Sequence, residues 1–125
     1  MRVLLDTNAL MMPVECDVRL FEEVERLLGE VEYLVPEAVV EELEKLSGQA
    51  SEAARAATVG RDLADRCTTT ATDAGYADDA VLEVAERPDV THVVTNDEPL
   101  QARLLDAGVS VISLRGQHKL AVKQP

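Results

Sequence analysis

Acidic residues stand at four places in this chain where a fold could bring them together. Asp6 directly follows the apolar run Val3-Leu4-Leu5, and Asp97 follows Val93-Val94-Thr95-Asn96. A carboxylate that ends a buried strand is a good cap for the helix after it, so either residue alone has a purely structural explanation. Their polar contexts, D-T-N and T-N-D, add a second reading: a shared site in which Thr7, Asn8, Thr95 and Asn96 orient carboxylates through hydrogen bonds.

From Pro36 onward, Val39, Val40, Leu43 and Leu46 recur at helical spacing and define a buried face. Glu41 points away from that face, whereas Glu42 and Glu44 flank the apolar stripe, where a side chain can reach round into a cleft. Periodicity does not choose between them. Asp78 and Asp79 open the segment A-V-L-E-V-A. Acids in a first helical turn are favoured by the helix dipole, yet two adjacent acids exceed what one cap requires, which leaves one free to face a cation.

Three or four carboxylates with no nearby His or Cys suit a hard divalent cation, Mg²⁺ or Mn²⁺, and argue against zinc. Such acids repel one another unless neutralised, and a bound cation reverses the local field so that a phosphate can approach. This removes an apparent obstacle, because the formal charge of -12 is the opposite of an ordinary phosphate-binding surface. The charge is also polarised. Twelve of the 24 acids precede residue 45, while residues 107–125 contain none and carry Arg115, His118 and Lys119, which can contact backbone phosphates. Only three of the twelve basic residues are lysine, a balance suited to a high-salt cytosol where screening is short-ranged. A halophilic source is the expectation.

These acids need a scaffold that delivers them to one edge. Arg2–Leu5, Val31–Val35, Val90–Thr95 and Val109–Leu114 read as buried strands, with Thr68–Thr72 a weaker candidate. Helical stretches are expected over Asp17–Leu28, Pro36–Leu46, Ala50–Arg66, Ala77–Arg87 and Glu98–Ala107. Alternating strands and helices on short loops imply an α/β fold with a mostly parallel sheet, whose ligands bind beyond the carboxyl ends of the strands where strand order reverses. With 125 residues and 46% hydrophobic content the chain suits one domain, read as residues 1–116 followed by a basic tail over 117–125. The apolar runs are too short to span a bilayer and the first residues do not look like a signal peptide, so a cytoplasmic protein without membrane attachment is expected. Cys16 and Cys67 form no C-x-x-C spacing and suggest neither zinc nor a disulfide framework.

Taken in order, V-L-L-D-T-N-A-L, V-P-E-A-V-V-E-E-L-E-K-L, Y-A-D-D-A-V-L and V-V-T-N-D-E-P-L resemble the motifs of the PIN-domain nucleases, over about Arg2 to Leu114. The stretch from Y-A-D-D-A through T-N-D to V-I-S-L-R-G looks most like the archaeal and eukaryotic branch of ribosomal-RNA processing factors, an appearance shared by VapC-type toxins. The resemblance implies a three-layer α/β/α PIN-like domain with sheet order 3-2-1-4-5, so that Asp6 and Asp97 flank the switch point. It selects Glu42 over Glu44, and Asp79, the acid directly before an alanine, over Asp78, with Asp78 as a partner or substitute. It implies that Asp6, Glu42, Asp79 and Asp97 hold Mg²⁺ or Mn²⁺ and hydrolyse RNA endonucleolytically, leaving 5′-phosphate and 3′-hydroxyl ends. An antitoxin or a ribosome-processing partner, and a homodimer, are implied in the same way. The alternative is a catalytically weak PIN-like module that binds RNA or protein. A phosphotransfer domain is disfavoured, since D-T-N lacks the second acid of a D-x-D motif and no lysine ends the last strand near the site.

Overall fold

Val3, Leu4 and Leu5 are fully buried although successive strand residues point to opposite faces, so the strand they form is covered on both sides. The computed structural model describes all 125 residues and places this strand, β1 (Arg2–Leu5), at the centre of a sheet. The elements follow as α1 (Thr7–Glu15), α2 (Leu20–Leu28), β2 (Glu32–Pro36), α3 (Glu37–Ser47), α4 (Glu52–Ala64), β3 (Thr68–Thr70), α5 (Ala77–Ala85), β4 (Val90–Val94), α6 (Glu98–Asp106), β5 (Ser110–Arg115) and β6 (Lys119–Lys123). The sheet order is β3-β2-β1-β4-β5-β6. The first five strands run parallel and β6 is antiparallel to β5. The expected α/β fold and the order 3-2-1-4-5 are therefore present, with a sixth strand added.

Strand order reverses between β1 and β4, and their register decides what meets there. Arg2 is level with Val90, but a skip at Thr91 puts Leu5 level with Val94. The next residues along, Asp6 and Thr95, thus leave the sheet side by side. Leu5, Val94 and Ile112 form the buried floor beneath them.

Two parts of the chain depart from expectation. No helix is among the expectations for residues 7–15, and Pro13 lacks the amide a helix interior needs. They form α1 all the same: Asp6 caps it, Pro13 falls near its end, and Ala9, Leu10, Met11 and Met12 are buried. Burial outweighs the proline. The segment 117–125 is likewise not simply a tail, because K-L-A-V-K pairs with β5 from Val111↔Lys123 to Arg115↔Lys119. The chain reverses through Gly116 at φ +72, a left-handed conformation that glycine adopts without strain. Leu120 is buried, its amide donates to Glu23 Oε1 at 2.9 Å, and its carbonyl accepts from the Arg26 guanidinium at 2.9 Å. These contacts from α2 engage the backbone of an edge strand that would otherwise be open to pairing. The Arg26 guanidinium also donates to both oxygens of Glu23, at 3.1 and 3.0 Å, and together with the Leu120 amide holds that carboxyl down at about 2. No helix is long and apolar enough to cross a membrane.

The buried residues of α4 are small, among them Ala56, Ala57 and Gly60, and Gly60 lies against α1. At Gly60 an added Cβ would lie 2.8 Å from the Leu10 carbonyl oxygen and 3.3 Å from the Leu10 Cβ. Backbone, not a flexible side-chain tip, blocks it. Gly60→Ala gains about 1 kcal/mol in helix propensity but must push α1 and α4 apart, which costs about 1–3 kcal/mol or more in a packed core. The expected outcome in urea unfolding is net destabilisation; an alanine variant more stable than the parent would contradict so close a helix crossing.

Candidate active site

Asp6 and Asp97 each perform a local task that fixes their position. The Ala9 amide donates to Asp6 Oδ1 at 2.7 Å and the Leu100 amide donates to Asp97 Oδ1 at 3.0 Å, so both acids cap the helices that follow them. Each keeps its second carboxylate oxygen for other uses. Thr95, wholly buried between them, accepts from the Asp97 amide at 3.1 Å, and its hydroxyl beside Asp6 favours the ionised form of that carboxyl. The structural and functional explanations of these acids coexist.

The remaining turn residues are stitched to backbone. Asn8 Oδ1 accepts from the Asn96 amide at 2.9 Å, and Asn96 Oδ1 accepts from the Leu114 amide at 2.7 Å. These two asparagines tie the ends of β1, β4 and β5 together and do not bond the carboxylates. Gln101 donates to the Thr95 carbonyl at 2.9 Å and accepts from Lys123 at 3.0 Å, which links β6 to the same turn. Thr7 stands apart. Its hydroxyl is buried with no hydrogen-bond partner.

Above this turn lie two adjoining concavities that share Glu42, Asp78 and Asp97. The inner one adds Asp6, Thr7, Asn8, Met11, Glu15 and Leu46, and the outer one adds Tyr76, Ala77, Asp79 and Arg103. Each pair of neighbouring acids is divided. Glu42 faces the cleft from α3, whereas Glu44 pairs with Arg61 of α4 at 3.0 Å. Asp78 lines both concavities, whereas Asp79 lines only the outer one and accepts from Arg103 at 3.4 Å. The sequence reading missed Glu15, because Asn8, Met11 and Glu15 share a face only once residues 7–15 are a helix. It also passed over Tyr76 and Arg103, whose signals were an aromatic beside Asp78 and Asp79 and a base one turn and a half after Asp97.

The inner concavity is electrostatically unfavourable for anions. Asp6 is 4% exposed, and burial together with the charges of Asp78 and Asp97 pushes its carboxyl up to about 7, against the bonds from Thr95 and Ala9. Asp78 is raised by partial burial, Asp97 and Asp79, with Arg103 acting in the opposite sense. No three carboxylate, imidazole or thiol groups stand at the spacing of a ready-made metal cage. The donors nevertheless fit a hard cation: all are oxygens, the deepest is a carboxylate without a basic partner, and the orphaned Thr7 hydroxyl lies in the same concavity. Glu42 and Asp78 are exposed side chains that can swing inward.

The basic residues of the C-terminal segment do not reach this cleft. Arg115 and Lys119 line a separate concavity with Arg26, and His118 Nδ1 lies 3.0 Å from the Cys16 carbonyl. His92 is on β4 beside Thr91, at 2.8 Å, with burial lowering its pKa.

No curated protein is matched by sequence. Among solved structures, the PIN domain endonuclease Utp24 superposes with a TM-score of 0.80 at 26% identity, over 99% of this chain and 92% of that one. A domain of a functionally unknown protein from Methanocaldococcus jannaschii DSM 2661 gives 0.67 at 20% identity, covering 94% of each chain. VapBC2 from Rickettsia felis, solved with a DNA fragment from its promoter, gives 0.67 at 12% identity, over 92% of this chain and 100% of that one. The last two share the fold. Residues 3–117 match the family model described as a PIN-like domain, and the chain belongs to that family.

Proposed function

We propose that this chain is a divalent-metal-dependent endoribonuclease that hydrolyses RNA phosphodiester bonds in the cleft around Asp6. The observation that carries the reading is Asp6 itself, a buried carboxylate with acids and no base around it. An unpaired buried charge is costly, and a cation is what would relieve it. Membership of the PIN-like family and the likeness to an endonuclease support hydrolysis. RNA as the substrate rests on the resemblance of the four motifs to the ribosomal-RNA processing branch. A toxin paired with an antitoxin is the second setting, for which the 12% identical VapBC2 carries the fold alone.

In this reading Asp6 and Asp97 would hold Mg²⁺ or Mn²⁺ with Asp78, which lines both concavities, in place of the Asp79 that the resemblance selects, and Glu42 would be a further ligand or an orienter of water. When bound, such a cation neutralises the phosphodiester, stabilises charge developing in the transition state and acidifies water. The chain's own part is positioning. Asp6 and Asp97 are immobilised by their capping bonds, and the Thr95 hydroxyl ties the Asp97 backbone to the turn beside Asp6. Glu42 has no basic partner, so its carboxylate is free to accept a proton from water. No protein nucleophile is required.

Asp6→Asn and Asp97→Asn are expected to lower cleavage of single-stranded RNA in Mn²⁺ by at least about 100-fold, in line with removing one electrostatic stabiliser of a transition state. Undiminished cleavage by the folded variants would sink the assignment, and binding without turnover by the parent protein would favour the binding-module reading. Asp78→Asn should lose more activity than Asp79→Asn, whose carboxylate is shared with Arg103.

A stability measurement is independent of turnover. The folded-state pKa of Asp6, about 7, lies above the ordinary carboxylate value of 3.8, so the folded protein binds this proton more tightly than the unfolded chain. Its contribution is full below about pH 4 and is lost as pH rises through about 7. Asparagine retains the helix cap. In EDTA at pH 8, Asp6→Asn should therefore be the more stable protein, by at most about 4 kcal/mol, and the difference should vanish at acid pH. Added Mn²⁺ should raise the Tm of the parent and leave the variant's nearly unchanged. A parent protein as stable as the variant at pH 8 in EDTA would show that Asp6 ionises without penalty.

A further inference from the structure

The chain has only three aromatic residues, and two of them are committed to each other. Phe21 and Tyr33 meet edge to face with centroids 4.7 Å apart, Arg66 covers the Phe21 ring at 4.1 Å, and the Tyr33 hydroxyl donates to Glu25 at 3.0 Å. Tyr76 is different. It is 81% exposed and lines the outer concavity with Glu42, Asp78, Asp97 and Arg103. Packing does not explain a large ring held in water at the mouth of an acidic cleft.

The loop that carries Tyr76 is built to hold it still. Glu83 of α5 accepts from the amides of Asp73 and Ala74 at 3.0 and 3.1 Å, and the Thr72 hydroxyl donates to the Ala74 carbonyl at 2.9 Å. Arg87 donates to Thr70 Oγ1 at 2.9 Å and to the Ala71 carbonyl at 3.3 Å. The Tyr76 carbonyl then accepts from the Ala80 amide at 2.9 Å as α5 begins. The ring is thus presented from a backbone fixed at both ends, which lowers the entropy lost on binding. Across the same concavity, Arg103 has one long bond of 3.4 Å to Asp79 and is half exposed, so its guanidinium can turn to an anion.

We propose that Tyr76 is a stacking platform for an unpaired base of single-stranded RNA and that Arg103 holds a neighbouring phosphate, so that the strand crosses the cleft beside the acids. This inference rests on the ribonuclease reading of the same site and adds the two residues that grip the strand at its rim. An isolated exposed ring offers a face that any base can cover, without reading its edge. Bases inside a duplex are already stacked and have no free face to give, so the platform selects single strands. Because the ring lies at the outer rim, away from Asp6, it binds substrate and transition state alike and acts on KM more than on kcat.

The test compares the full-length parent, Tyr76→Ala and Tyr76→Phe. Affinity for a fluorescein-labelled single-stranded oligoribonucleotide is read by anisotropy in Ca²⁺, and cleavage in Mn²⁺. Tyr76→Ala should weaken binding and raise KM by roughly 5- to 100-fold, with kcat and Tm little changed; Tyr76→Phe, which keeps the ring face, should behave like the parent. A series of oligonucleotides, each with one abasic position, should include one that the parent binds more weakly and Tyr76→Ala does not distinguish from the intact strand. On a fully paired RNA duplex the three proteins should be equal. If the parent cleaves single-stranded RNA and Tyr76→Ala binds and cleaves it equally well, the stacking role is overturned while the nuclease reading stands. If the parent neither binds nor cleaves single-stranded RNA, the underlying reading falls and this inference with it.

Discussion

The parallel pairing of β1 with β4 is the constraint on which the cleft depends. A one-residue slip in a strand exchanges its two faces and moves every following residue. Here the skip at Thr91 changes the register midway, so that Asp6 comes level with Thr95 and not with Val94. A carboxylate is thereby set against a hydroxyl and an adjoining acid, where the unshifted register would oppose it to an apolar side chain. The apolar floor of Leu5, Val94 and Ile112 makes that register costly to change, because each is fully buried.

Burial then sets the chemistry of the acid that the register delivers. The helix dipole and the Ala9 amide both favour an ionised Asp6, yet loss of water and the neighbouring acids outweigh them and raise its pKa. Asp97 performs the same capping task from a less enclosed position. A cap of this kind is well suited to a second role, since one oxygen suffices for the helix and the other can face the cleft.

Charge is distributed over the fold in a way the net value of -12 conceals. Fewer than a third of the acids are paired on the surface, as Glu44 is with Arg61 and Glu32 with Arg2, and such exposed pairs contribute little to stability. Those left unpaired near Asp6 concentrate negative field at one edge of the sheet. Arg103 is the basic residue that lines that edge, so it moderates the repulsion of Asp78 and Asp79 while marking the outer rim.

Local sequence was enough to determine the alternating elements, because β-branched runs, helical periodicity and glycine stops act within a few residues of where they occur. It also determined that Asp6 and Asp97 end strands at the ligand edge, since a parallel sheet puts all such ends on one side; that the two strands are neighbours came only from the resemblance to the PIN-domain nucleases. It could not determine α1, where the local cost of Pro13 is overcome only by packing against α4. Nor could it find β6, a short strand whose burial comes from β5 and from Glu23 and Arg26, remote in sequence. The neighbouring acids show the limit most directly. Periodicity left Glu42 and Glu44 open because they flank one apolar stripe, and first-turn chemistry left Asp78 and Asp79 open because either acid suits a helix start; only the resemblance chose between them. What separates them is a partner from another element, Arg61 on α4 and Arg103 on α6, and only the tertiary structure brings those guanidinium groups within reach.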